Sequence, residues 1–448
     1  MANMAELFGW QLHGPSVEFT GVATDTRSLL PGQLFVALCG DRFDGHKFVA
    51  DALASGAAGA LVSRDVPGAQ PLLIAGDTLQ ALGQLGALHR SSFKGKLVAI
   101  TGSAGKTTTK EMLASILGER APVHATRGNF NNEIGVPLTL LQLDDQHHFA
   151  VIEMGAAKAG DIQYLVDIAN PDVSVITNAK AAHLEGFGDV GQVARTKGEI
   201  YIPEPGRVAV INSDDPHSDL WRQLAGPATI VCFSVQGNPE ADVRAMRVVP
   251  GADTVSFELQ TAWGTCPVEL HVAGLHNVAN ALAAAAAALA CGVDLADVKH
   301  GLESFNGVAG RMQFLPGRRG QVVIDDTYNA NPDAVCSAID VLALQAGKKV
   351  LVLGDMAELG VDSAAHHRRV GDYAQQRGID LLITVGSMAA LAAAAFGATA
   401  RTFADQGALL DYLVQHNGLP GFEVCLVKGS RSAHMERVVQ VLVDGEIR

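Results

Sequence analysis

At 448 residues, 48% hydrophobic and 18% charged with 48 glycines, the chain has material for two to four globular domains and is too apolar to be disordered. Its 33 Lys and Arg against 47 Asp and Glu leave a formal charge of −14, which excludes a protein that holds nucleic acid through nonspecific phosphate contacts. Six cysteines without a C-x-x-C pair, most of them in apolar runs, predict reduced core thiols of a cytoplasmic protein.

Residues 1–14 carry neither the basic nor the apolar segment of a secretion signal. From there to about residue 80, short elements predict a small α/β unit. Residues 21–27 are a strand running into a turn, 34–38 a second strand, 48–55 a helix and 60–62 a third strand. Residues 76–94 read as a helix leading onward.

The apolar run 97–100 ends in TGSAGKTTTK, 101–110, a strand entering a phosphate-cradling turn that opens a helix. Gly102 and Gly105 let the backbone turn so that N–H groups converge on an anion, and the helix starting near Lys106 aims its positive dipole end there. Lys106 supplies a full charge for the β- and γ-phosphates, and the Thr107 hydroxyl is the expected Mg²⁺ ligand. The usual pattern G-x-x-x-x-G-K-[ST] has Gly where this chain has Ile100.

Further buried strands are expected at 150–152, 173–176 and 208–211, alternating with helices, which predicts a parallel sheet with its ligand site at the strands' carboxyl ends. A β-rich insert at 230–273 follows. The stretch 278–293, mostly alanine and broken by Asn280, reads as a buried helix because it is too weakly apolar to span a bilayer. After Arg311, strands at 322–324, 350–353, 381–384 and 424–427 predict a second doubly wound α/β sheet. The domains expected are therefore 1–80, 81–310 and 311–448.

Several polar residues sit where chemistry could be done. Glu153 ends a strand and His183 follows another, so each is either a Mg²⁺ ligand or a strand-end group satisfied by backbone. His147-His148 and His366-His367 lack metal-ligand spacing and read as solvated surface. Asn277 either caps the alanine helix or, with Asn280, reads adenine edges. Arg311 lies in GRMQ, Asp326 ends a strand, and Asn331-Pro332 is placed to cap the following helix. VKGSRS, 427–432, is another anion-accepting strand-turn-helix.

Taken in order, TGSAGKTTTKEM, GNFNNEIGVPLTLL, VIEMGA, HLEGFG, TKGEI, GLHNVANALAA, GRMQ, IDDTYNANPDA and VKGSRS resemble the Mur ligase family of cell-wall peptide synthetases over essentially the whole chain. ATDTRSLLPGQLFVALCGDRFDGHKFV and VLGDMAELG are most similar to the member that joins D-alanyl-D-alanine to UDP-N-acetylmuramoyl-tripeptide. The resemblance implies a small N-terminal α/β UDP-sugar domain, a central P-loop ATPase and a C-terminal Rossmann-like domain. It implies ATP and Mg²⁺ as cofactors, an acyl-phosphate intermediate, a cytoplasmic monomer, and neither nucleic-acid partners nor a membrane span.

Residue by residue, the resemblance implies phosphate and nucleotide contacts from Gly102, Ser103, Ala104, Gly105, Lys106, Thr107, Thr108, Asn277, Asn280, Arg311 and Asp326. It implies metal contacts from Thr107, Glu153, His183 and Lys197, the last as a carbamate. It implies catalytic roles for Lys106, His183, Lys197, Arg311 and Lys428. UDP-sugar contacts would come from Asp25, Thr26, Arg27, Asp44, Gly45 and His46. The stretch 178–182, Asn-Ala-Lys-Ala-Ala, departs from the Gly-Pro-Ala-like sequence expected before His183.

Overall fold

A computed structural model describes residues 1–40, 43–181 and 184–445. Its contacts group into two units: Met1–Ala99 with Pro122–Gly155 and Gly160–Asp172, and Ile100–Ala121 with Ala156–Ala159 and Val173–Arg448.

The first unit is built on a five-stranded sheet in the order Gln11–His13, Leu72–Ile74, Gly59–Val62, Leu34–Val36, Val22–Ala23; the first pairing is antiparallel and the others parallel. Period-two alternation sends Leu34, Val36, Leu61 and Leu73 to one face and Phe35, Ala60, Val62 and Leu72 to the other. Both faces are buried, the first under the helix Thr78–Ser92 through Ala81, Leu82 and Leu85, the second under Val49–Ala54. Asp77 starts the long helix by accepting from the N–H groups of Leu79 at 2.8 Å and Gln80 at 3.1 Å. A Cβ at Gly83 would meet the Tyr164 hydroxyl at 2.6 Å and Ile168 Cδ1 at 2.9 Å, so this glycine sets the approach of the helix Asp161–Ala169. The unit also holds a parallel pair, Val123–Ala125 with Phe149–Glu153.

In the second unit, Val173–Ile176, Val208–Asn212, Thr229–Ser234 and Val243–Pro250 run parallel in this order, and Val255–Thr261 and Gly264–Leu270 extend them antiparallel. The expected β-rich insert is thus the sheet's own edge, joined through the pairing of Phe233 with Val243. The alanine helix, Leu275–Ala290, begins three residues before the expected start. Ala281 and residues 283–288 are wholly buried, because methyl side chains let it lie close against the helix Lys106–Gly118.

The C-terminal sheet runs Gln313–Pro316, Val322–Asp326, Val424–Lys428, Lys349–Gly354, Leu381–Val385, Ala400–Phe403, with only the first pairing antiparallel. Ile324, Leu351, Leu353, Leu382 and Leu426 face one core, and Val323, Val350, Val352, Ile383 and Cys425 the other. The last strand in sequence inserts between the strands 322–326 and 349–354, creating a topological switch point whose carboxyl ends are Asp326 and Lys428. Asn331 caps the next helix, accepting from the Ala334 N–H at 2.9 Å, with Pro332 in its first turn.

Three expectations are corrected. Cys39 is exposed and Cys266 and Cys291 are half-buried, so only Cys232, Cys336 and Cys425 are the expected buried thiols. His367 is wholly buried and not on the surface: its Nε2 accepts from the Met356 N–H at 3.0 Å, and Nδ1 is 2.8 Å from the Ser363 carbonyl. The strands Gln313–Pro316 and Ala400–Phe403 were not expected, being short, partly exposed edge strands without an apolar run. Among the described residues, no helix is long and apolar enough to cross a membrane.

Candidate functional site

The strand Lys96–Thr101 leads into the loop 102–105, and the helix begins at Lys106 as the spacing predicts. Gly102 has φ +151° and Gly105 φ +81°, a left-handed N-cap that side chains disfavour. A Cβ on Gly102 would collide with the Thr177 hydroxyl, and one on Gly105 with the Asn280 side-chain oxygen.

The loop is clasped from beneath by residues 177–180. Asn178 accepts the Ser103 N–H on its carbonyl at 3.0 Å and the Ala104 N–H on Oδ1 at 3.1 Å, while its Nδ2 donates to the Ala104 carbonyl at 3.1 Å. The Thr177 hydroxyl donates to that same carbonyl at 2.6 Å, and Ser103 Oγ accepts from the Lys180 N–H at 2.9 Å. The amides of Ser103 and Ala104 are therefore turned into the fold. An incoming anion is left to the N-terminal end of the helix, where the dipole is positive. This gives the unusual stretch starting at Asn178 a purpose that sequence inspection registered only as a departure.

Lys106 Nζ donates to the Gly102 carbonyl at 2.8 Å, folding the side chain back over the loop. Thr107 and Thr108 are almost wholly buried. The Thr107 hydroxyl accepts from Arg311 Nη2 at 2.9 Å, so an arginine 204 residues away meets the first turn of the phosphate-loop helix. Arg311 Nε is buried with no hydrogen-bond partner, and the guanidinium lies 4.1 Å from the centroid of the Tyr328 ring.

Asn277 does not cap its helix. Gly274 holds the cap position with no side-chain hydrogen bond, and the Asn277 amide turns back to donate to the Ala273 carbonyl at 2.8 Å. Asn280 Nδ2 donates to Asn277 Oδ1 at 3.1 Å, and its Oδ1 accepts from the Thr109 hydroxyl at 3.4 Å. The two asparagines form a buried polar chain that ties the alanine helix to the phosphate loop. His276 beside them went unnoticed in the sequence; burial pulls its imidazole down to about 4, with the Asp326 charge opposing and Lys428 and Lys180 reinforcing that shift.

At the switch point, Lys428 Nζ donates to Asp326 Oδ2 at 2.5 Å and to the Asn329 carbonyl at 3.0 Å. Asp326 Oδ1 accepts from the Met312 N–H at 3.2 Å, binding the segment that carries Arg311 to the sheet edge. Lys197, in the last turn of the helix Val190–Gly198, is buried with its ammonium 5.8 Å from the Phe187 ring centroid. His183 lies outside the described residues.

The remaining candidates belong to the first unit. Glu153, buried at the end of its strand, accepts from Asn131 Nδ2 at 2.7 Å, and its N–H donates to the Thr126 hydroxyl at 3.0 Å. Asn131, in the quoted GNFNN stretch, is a partner that sequence reasoning missed. Asp25 and Arg27 flank Thr26 and pair with each other on the surface; the guanidinium and the Arg27 N–H hold the Asp25 carboxyl at about 2.

Asp44 accepts from the His46 N–H at 3.1 Å, from His46 Nδ1 at 2.8 Å and from Arg64 Nη2 at 2.7 Å, which holds its carboxyl far below the usual range. Gly45 between them has no room for a Cβ, which would meet the Leu38 carbonyl oxygen at 2.6 Å. Cys39, Asp44 and His46 bring ligand atoms within 4.8 Å of one another. The Ser63 N–H donates to His46 Nε2 at 3.0 Å, which puts the ring proton on Nδ1 and leaves that nitrogen a donor to Asp44, not a metal ligand.

Comparison with known proteins agrees over the full length. Residues 100–288 match the model of the Mur ligase middle domain, 310–431 that of the Mur ligase glutamate ligase domain, and 18–88 that of the Mur ligase family catalytic domain. The chain is 41% identical over 446 residues to UDP-N-acetylmuramoyl-tripeptide--D-alanyl-D-alanine ligase of Escherichia coli K12, covering 99% of this chain and 98% of that one. It is similar to the crystal structure of MurF from Acinetobacter baumannii, with TM-score 0.93, 38% identity and coverage of 99% and 98%. The MurF ligase of Thermotoga maritima in complex with ADP gives TM-score 0.83, 29% identity and coverage of 94% and 96%.

Proposed function

The chain belongs to the Mur ligase family, and on that premise we propose that it is the cytoplasmic, ATP-dependent ligase that joins D-alanyl-D-alanine to UDP-N-acetylmuramoyl-tripeptide in making the peptidoglycan precursor. What carries the reading is the span of the likeness: a ligase named for that activity matches 99% of this chain, and residues 18–88, in the part that would meet the UDP-sugar, match a Mur ligase family model of their own.

The reaction proceeds in two steps. The tripeptide's free carboxylate attacks the γ-phosphorus of ATP, giving an acyl phosphate and ADP. The amine of D-alanyl-D-alanine then adds to the acyl carbon, and the tetrahedral intermediate expels phosphate and loses a proton to leave the amide. Both steps gather negative charge on phosphoryl oxygens, so catalysis asks for positioned positive charge more than for a nucleophilic side chain.

The second unit's residues suit a nucleotide and its magnesium. Thr107 presents a hard oxygen donor, and Arg311 Nε is a buried donor with no partner in the protein. Bound Mg²⁺ would neutralise phosphate oxygens through Thr107. Lys106, leaving its place on the Gly102 carbonyl, would accompany the transferred phosphoryl group. Arg311, already held at the helix N-terminus, would face the same charge. Asp326, oriented by Lys428, offers a carboxylate to a ribose hydroxyl. Lys197, once carbamylated by CO₂, would become an anion able to face a metal ion.

Release of inorganic phosphate from ATP tests the reading. With UDP-N-acetylmuramoyl-tripeptide present, release is expected to depend on D-alanyl-D-alanine and to exceed that with D-alanine or L-glutamate. Absence of release with the dipeptide overturns it.

A further inference from the structure

Resting on the reading of Arg311 as a phosphate-facing group, we propose that Tyr328 is the positioning residue that holds the Arg311 guanidinium in its working place, through the face of its ring.

Arg311 follows Gly310, whose φ of +71° turns the chain sharply, and its long side chain must then cross to the phosphate-loop helix. A flexible side chain in that role loses much rotamer freedom on ordering unless the fold restricts it beforehand. The hydrogen bonds made by Arg311 are few: Nη2 reaches the Thr107 hydroxyl, and Nε has no partner. No carboxylate among the described residues forms an ion pair with it. What restricts the guanidinium is the Tyr328 ring, 4.1 Å from centroid to Cζ, well inside the range in which the negative ring face attracts a cation.

The ring is itself fixed. The Tyr328 N–H donates to the Gly310 carbonyl at 3.1 Å, so platform and arginine are fastened to each other two atoms from where the arginine leaves the backbone. On the neighbouring segment, Met312 N–H is held by Asp326. An aromatic face suits this task better than a carboxylate. It locates the cation without neutralising it, leaving the full charge and the unused Nε–H for a phosphate oxygen. Arg431, the other cation near this ring, is 6.0 Å away, exposed, and paired with Glu436, so its hold on the ring is the weaker one.

Binding of ATP by calorimetry, without the peptide substrates so that nothing turns over, separates the possibilities. R311A alone tests the underlying reading and is expected to weaken ATP binding about tenfold or more. Y328L is expected to weaken it about 3- to 10-fold with an unchanged melting temperature, and Y328F, which restores the ring, to bind within about twofold of the native protein. In the R311A background Y328L is expected to have no further effect. If Y328L folds poorly, fluorinated phenylalanines at position 328 keep the shape while draining the ring face of negative potential, and affinity is expected to fall stepwise with fluorine number. The proposal is overturned if Y328L binds ATP normally, if its effect multiplies with that of R311A, or if fluorination changes nothing. Normal binding by R311A would overturn the phosphate role of Arg311 and the proposal with it.

Discussion

Lys428 Nζ lies 2.5 Å from Asp326 Oδ2, on directly paired residues of two parallel strands, with both side chains nearly sealed from water. The lysine also binds the Asn329 carbonyl, so its donors are spent on the sheet edge. Removing one partner of such a buried pair leaves the other charge uncompensated. K428A is therefore expected to lower unfolding stability by about 3–5 kcal/mol in urea titrations, and the double variant K428M/D326N to recover part of the loss. A native midpoint in K428A together with lost ligation would instead assign the lysine to the chemistry.

Lys106 Nζ donates to the Gly102 carbonyl within its own loop, at the mouth of the phosphate-cradling turn. Its removal is thus expected to spare the fold and remove a charge that phosphoryl transfer needs. K106A should keep the native circular dichroism and melting temperature while phosphate release falls by about 100-fold or more. Near-native release would remove the phosphate loop from the mechanism.

Lys197 is buried beside Phe187 near the end of its helix. A buried ammonium is costly, and conversion to a carbamate changes both its charge and its chemistry. K197A is expected to cripple phosphate release and to be partly rescued by short carboxylic acids such as acetate or propionate. Unimpaired release would make Lys197 a structural residue.

The strand, turn and helix around residues 97–117 were legible because their signals are local: an apolar run, two glycines at fixed spacing, then helical periodicity. The clasp of Asn178 on Ala104 was not, because it joins residues 74 apart in the chain and no local pattern pairs them. Asn277 has the residue type and place of a cap, yet burial forces its amide to find the Ala273 carbonyl, a choice made by packing and not by propensity. Tyr328 stood in a quoted motif without a role, since nothing in the sequence brings its ring to Arg311.

His276 gives a pH dependence whose sign follows from its surroundings. Burial holds the folded-state value at about 4, below the ordinary 6.5, so the folded protein keeps the imidazole neutral while the unfolded chain protonates it first as pH falls. The stabilisation from this group is present in full above about pH 6.5 and is lost as pH drops from there toward 4. Between pH 7 and pH 5 the loss is about 2 kcal/mol, less to the extent that water reaches the partly buried ring. H276N cannot titrate, so its stability is expected to fall less than that of the native protein over this interval, by about that difference. Urea midpoints of both proteins at the two pH values decide the matter: parallel losses would mean that His276 protonates in the folded state as readily as in the unfolded chain.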